Sequence, residues 1–139
     1  MRYGLEAKPF MIKPNRYELE LMTGCEMKSL DEIRRAAWKY IDMGVSVVAV
    51  SLGADGALIT DGSETLFAPR LVVDVKSTVG AGDSMVAGLT CGFMGEYDLA
   101  DCMRMGVACA ASRCMTESYK VIDKAQYHAL LDRVEIEKL

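Results

Sequence analysis

Residues 77–84 read Ser77-Thr78-Val79-Gly80-Ala81-Gly82-Asp83-Ser84. A glycine-rich turn that opens a helix leaves backbone N–H groups at the positive end of the helix dipole, where they suit a phosphate. Glycine at 80 and 82 lets a ligand reach backbone that Cβ atoms would hold off. Asp83 adds an acid among the first helical amides. A carboxylate there can accept a proton from a hydroxyl while the amides hold charge on a transferring phosphoryl group. The same residues also suit a plain strand-to-helix turn, with Asp83 as a first-turn acid favoured by ~0.3–1 kcal/mol. The run matches neither Gly-x-x-x-x-Gly-Lys-Ser/Thr nor Gly-x-Gly-x-x-Gly after a first strand.

Two other stretches have spacing that could do chemistry. Lys13-Pro14-Asn15-Arg16-Tyr17-Glu18-Leu19 places an Asn and a Glu three residues apart at a helix start. That spacing is a capping box, in which the carboxylate reaches back to the N-cap amide; it also places two oxygen donors side by side. Ser51-Leu52-Gly53-Ala54-Asp55-Gly56-Ala57 follows the β-branched run 45–50. Ala54-Asp55-Gly56 is ordinary turn chemistry, so a simple strand-to-strand turn is the competing reading.

Taken in chain order, the three stretches resemble segments of the ribokinase/PfkB family of ATP-dependent sugar kinases. Thr78–Gly88 resembles the family's second signature, commonly Asp-Thr-x-Gly-Ala-Gly-Asp, with Ser77 where the first Asp would stand. The whole form Ser-Thr-Val-Gly-Ala-Gly-Asp-Ser-Met-Val-Ala-Gly is similar to the phosphosugar branch. Lys13–Leu19 resembles Lys-Pro-Asn-x-x-Glu-Leu, and Ser51–Gly56 resembles Ser-x-Gly-x-x-Gly. The resemblance implies ATP and Mg²⁺ as cofactors and phosphoryl transfer to a hydroxyl of a phosphorylated ketohexose, fructose 1-phosphate first and tagatose 6-phosphate second. It implies Asp83 as catalytic base and the amides of Val79, Gly80, Ala81 and Gly82 as an anion hole. Ser51, Gly53, Gly56 and Thr78 are implied at the nucleotide, with the small residues Ala108, Ala111 and Ser112 flanking adenine. Asn15 and Glu18 are implied near Mg²⁺, acting through water.

Family members are longer than these 139 residues. The expectation is therefore a ribokinase-like three-layer α/β/α fold of which residues 1–139 form the single nucleotide-binding portion, the C-terminal half. Sugar contacts, a Gly-Gly motif and a strand lid would lie in the other half. On this reading the chain alone folds, binds ATP weakly and lacks sugar-kinase turnover. The alternatives are a nucleotide-binding module or a structural fragment, each inactive without its other half. Truncation is expected to bare apolar surface and favour a homo-oligomer.

Composition agrees with a globular protein of a reducing cytoplasm. The chain is 51% hydrophobic and 26% charged, with a net charge of −4. No basic stripe points to nucleic acid, and no apolar run is long enough to span a bilayer. Five cysteines, an odd number without a Cys-x-x-Cys pair, lie mainly in Ala/Gly/Met-rich stretches and read as small core residues rather than zinc ligands. His128, the one histidine, sits on an amphipathic stretch and reads more readily as a surface helix residue than as a base, which weakens a Ser-His-Asp or Cys-His hydrolase reading.

The elements that must position these residues read as α/β. Strands are expected near 10–13, 45–51 and 71–75, and a hairpin over 57–60 and 63–68 turns at Asp61-Gly62. Helices are expected over 16–23, 30–43, 82–94 and 99–114, with a last one capped by Asp123. Ligand is expected beyond the carboxyl ends of the strands of a largely buried parallel sheet.

Overall fold

A computed structural model describes residues 2–117 and 120–139. Its elements run α1 (Arg2–Glu6), β1 (Met11–Ile12), α2 (Arg16–Thr23), α3 (Leu30–Asp42) and β2 (Val47–Ser51). A 3₁₀ turn (Gly53–Asp55), β3 (Ala57–Thr60) and β4 (Thr65–Ala68) follow. Then come α4 (Ala81–Met94), α5 (Leu99–Cys114), α6 (Lys124–Leu131) and β5 (Glu137–Lys138). The chain divides into two units, one of residues up to Phe67 with Lys138–Leu139, the other of Ala68–Glu137.

The first unit grows from local signals. Asn15 and Glu18 close a reciprocal capping box on α2, each side chain accepting from the other's amide at 2.8 Å. Ser29 and Glu32 do the same for α3. The amide of Lys28, joined by that of Ser29, holds the Glu32 carboxyl below its ordinary range against the opposing effect of burial. The sheet order is β1-β2-β3-β4-β5. β1 and β2 are parallel, with Met11 opposite Val47, whereas β2 and β3 are antiparallel, with Val48 opposite Thr60 and Ser51 opposite Ala57. The sheet is therefore mixed: β1 and β2 have the parallel arrangement expected of the sheet, and β2 and β3 do not. Leu19, Ile33, Ala37, Tyr40, Val48, Val50 and Leu58 form its buried core. Burial raises the Tyr40 hydroxyl above its usual pKa. The buried threonines are paired: Trp38 Nε1 donates to Thr65 Oγ1 at 2.9 Å, and Thr65 Oγ1 donates to Thr60 Oγ1 at 3.1 Å.

The second unit is a helical pack. Gly88, Gly92 and Gly106 allow α4 and α5 to approach closely. A Cβ on Gly88 would sit 2.5 Å from the Met105 carbonyl oxygen, and one on Gly106 would sit 2.8 Å from Leu89 Cγ. Met85, Leu89, Cys102, Met103 and Leu130 are buried here.

One expected strand does not form. Leu71–Val75 has the β-branched content of a strand, but it carries no ladder among the described residues. Val72 and Val75 are exposed, and Arg133 Nη2 donates to the Val72 carbonyl at 2.9 Å. A strand is a pairing, and β propensity alone supplies no partner. Two elements were not expected: α1, and β5, whose neighbour Leu139 donates its amide to Thr65 O at 3.0 Å.

Candidate functional site

In the first unit the fold joins two motifs that stand far apart in sequence. Parallel pairing of β1 with β2 continues as a bridge between Asn15 and Ser51, at the carboxyl ends of both strands. Ser51 N–H donates to Pro14 O at 3.1 Å, and Lys13 Nζ to Ser51 Oγ at 3.3 Å. Beyond Ser51 the chain turns tightly. Gly53 (φ +61°) and Gly56 (φ +104°) take conformations that suit glycine, and Leu52 N–H donates to Gly56 O at 2.9 Å. Arg16 Nη2 reaches Asp55 Oδ2 at 2.8 Å, tying this turn to the start of α2. Asn15, Glu18, Ser51, Gly53 and Gly56 thus share one end of the sheet. Among the described residues, no group of three or more His, Cys, Asp or Glu is placed to hold a metal ion.

In the second unit the run 77–83 forms a turn into α4. Gly80 is the N-cap, left-handed at φ +79°, and it supplies no capping side chain. Two loop amides have internal acceptors: Val79 N–H donates to Ser77 Oγ at 3.2 Å, and Ala81 N–H to Thr78 O at 3.2 Å. Ser77, the departure from the family's Asp, thereby orders the turn. Ser84 N–H donates to Gly80 O at 2.9 Å. Among the described residues, the amides of Gly80, Gly82 and Asp83 have no protein acceptor. Asp83 is exposed in the first turn of α4. Three donors and a carboxylate at one helix N-terminus can hold an anion beside a proton acceptor.

The last turn of α5 supports this loop. The amides of Lys76 and Ser77 donate to the Cys114 carbonyl at 2.8 and 3.1 Å. Arg113 Nε donates to the Val79 carbonyl at 3.1 Å. Sequence reasoning missed Arg113, because a cation at the end of a helix reads simply as a match to the dipole. Of the small α5 residues, Ala108 and Ser112 are wholly buried, and Ala111 is half-buried. Gln126 Nε2 donates to both Ser112 oxygens, at 3.1 Å to O and 3.2 Å to Oγ. Burial raises the thiols of Cys102, Cys109 and Cys114 above the usual cysteine range, so they stay protonated rather than serve as nucleophiles. Among the described residues, no helix is long and apolar enough to cross a membrane.

The fold is the ribokinase-like α/β fold, and the pattern describing pfkB family carbohydrate kinases matches residues 4–122. The chain belongs to that family. It is 37% identical over 134 residues to the 1-phosphofructokinase of Escherichia coli K12, covering 96% of this chain and 43% of that protein. The 1-phosphofructokinase of Haemophilus influenzae is 38% identical over 134 residues, again 96% of this chain and 43% of the relative. A solved phosphofructokinase-2 from Escherichia coli, in complex with substrates and products, superposes with a TM-score of 0.83 at 30% identity, over 89% of this chain and 40% of that one. The chain spans about 43% of the length of these curated relatives.

Proposed function

We propose that this chain carries the nucleotide-binding and proton-accepting part of an ATP-dependent kinase acting on a phosphorylated ketohexose, fructose 1-phosphate first. The observation that carries the reading is the open N-terminus of α4, where the amides of Gly80, Gly82 and Asp83 lack protein acceptors among the described residues, beside an exposed carboxylate. Membership of a carbohydrate-kinase family supports it, as do relatives named 1-phosphofructokinase.

Asp83 takes the proton of the acceptor hydroxyl. The amides of Gly80, Gly82 and Asp83 donate to oxygens of the transferring γ-phosphoryl, while Val79 and Ala81, whose amides close the turn, hold its shape. Thr78 flanks the nucleotide from the same loop. Ala111 lines the adenine side, backed by Ala108 and Ser112, which leave no bulk there. In the first unit, Ser51, Gly53 and Gly56 form nucleotide wall. Asn15 and Glu18 offer amide and carboxylate oxygens, the hard donors Mg²⁺ takes. Both are engaged in the capping box, so their fit to the ion is through water. Mg²⁺ would supply positive charge to offset that of the phosphates.

A second reading follows from the share of the relatives that this chain covers, 43%: a nucleotide-binding module without turnover of its own. Titration calorimetry with MgATP and a coupled assay of ADP release with fructose 1-phosphate or tagatose 6-phosphate test both. Binding with turnover supports the kinase, and binding without turnover supports the module. Turnover that appears only when the remaining portion of a relative is added in trans assigns the acceptor site to that portion. Absence of MgATP binding refutes both readings.

A further inference from the structure

Among the described residues, Arg113 donates to backbone carbonyls of Val79, Lys120 and Glu117, all outside its own helix. Nε donates to Val79 O at 3.1 Å, Nη1 to Lys120 O at 2.7 Å and Nη2 to Glu117 O at 3.4 Å. One residue on, the Cys114 carbonyl takes the amides of Lys76 and Ser77. The last turn of α5 therefore grips the loop at its base and again at its tip.

The grip at the tip has a directional consequence. The Val79–Gly80 peptide is trans and planar, so its carbonyl and its N–H point to opposite sides. A carbonyl fixed on Arg113 sends the Gly80 N–H away from Arg113, out of the other side of the loop. That N–H is one of those without a protein acceptor among the described residues. Glycine occupies both signs of φ readily, so the local chain does little to stop this peptide from turning over. The restraint must come from outside the loop, and the guanidinium supplies it.

We propose that Arg113 is a positioning residue for the anion loop: by holding the Val79 carbonyl it aims the Gly80 N–H at the transferring phosphoryl group. This rests on the reading of the 77–83 turn as the phosphoryl-binding site. The planar fork is essential, because one guanidinium must serve Val79, Glu117 and Lys120 together. A lysine keeps the charge and loses the fork.

The test uses the 139-residue chain with Arg113→Met and Arg113→Lys, and reads the ¹⁵N order parameter of the Gly80 amide without ligand beside calorimetric affinities for MgATP and MgADP. In both variants the Gly80 order parameter is expected to fall from about 0.85 toward 0.6 or lower. MgATP affinity should fall about tenfold, the scale of one hydrogen bond to a charged group, with MgADP affinity unchanged. Melting curves identify a variant that has lost its fold, in which case Arg113→Lys decides. An unchanged Gly80 amide, or a folded variant that keeps its preference for MgATP over MgADP, overturns the positioning role alone. Arg113→Lys matching the wild type while Arg113→Met falls also overturns it, since charge would then suffice. A wild-type chain that binds neither nucleotide overturns the functional reading of the loop, and the anion-directed role of Arg113 with it.

Discussion

The helices α2 and α4 both begin beside candidate chemistry, and they end their backbones in opposite ways. At α2, Asn15 and Glu18 satisfy each other's amides, and the helix start is closed within the protein. At α4, a left-handed glycine stands where a capping side chain would be, and three amides face no protein acceptor among the described residues. A helix start without a cap forgoes about 1 kcal/mol that Ser, Thr, Asn or Asp would contribute. That stabilisation is recovered when an anion binds, which is why an open N-terminus suits a site and a closed one suits a scaffold. The α4 turn is held instead from outside, by the last turn of α5.

The largest effect that could break this contrast is at Asp83. In a full-length protein carrying this chain, Asp83→Asn is expected to lower turnover by ~10²–10⁴ while MgATP affinity stays within a few-fold, measured by ADP release and calorimetry. Near-parental turnover would make the α4 start a scaffold like that of α2. Gly88→Ala probes what keeps the open end in place. The added Cβ meets the Met105 backbone at 2.5 Å, so α4 and α5 must separate, and a loss of about 1–3 kcal/mol is expected in urea unfolding. Wild-type stability would show that the contact relaxes at no cost.

Asn15→Ala opens the closed helix and should cost about 1 kcal/mol of stability. If MgATP affinity falls more than stability accounts for, Asn15 serves the ligand as well as the cap. The smallest effect concerns another self-closed site, the Asp61 turn between β3 and β4. Burial alone would raise this carboxyl, but the amides of Glu64 and Ser63 and the Ser63 hydroxyl outweigh it and set Asp61 below the ordinary aspartate range. A pKa lowered by folding gives stability that is present above the unfolded value and lost as pH falls through the folded one. Acid titration of the unfolding midpoint should therefore show a drop below the usual aspartate range, and Asp61→Asn should flatten it. An identical acid profile in the variant would show that the turn contributes nothing to the pH dependence.

Much of the fold was legible because its signals are local. Asn15 with Glu18, Ser29 with Glu32, and Asp123 each mark a helix start through a bond to an amide three residues on. The helix over 99–114 was read to the residue, and Asp61-Gly62 was read as a turn. The segment 71–75 failed because β-branched residues show willingness to pair but name no partner. The antiparallel neighbour of β2 and the late strand β5 were hidden for the same reason, since strand order depends on chain contacts that no short window contains.

The candidate site divides along the same line. By themselves the residue types determined that a glycine turn carrying an acid opens α4, that Asn15 caps α2, and that the chain belongs with sugar kinases by motif order. Only the tertiary structure decided which loop amides remain open, because the acceptors Ser77 Oγ and Thr78 O act through geometry rather than composition. It alone brought Asn15 beside Ser51, 36 positions away, through parallel pairing of β1 with β2. It alone placed Arg113 on the Val79 carbonyl, since a side chain at a helix end can reach any segment that folding sets against it.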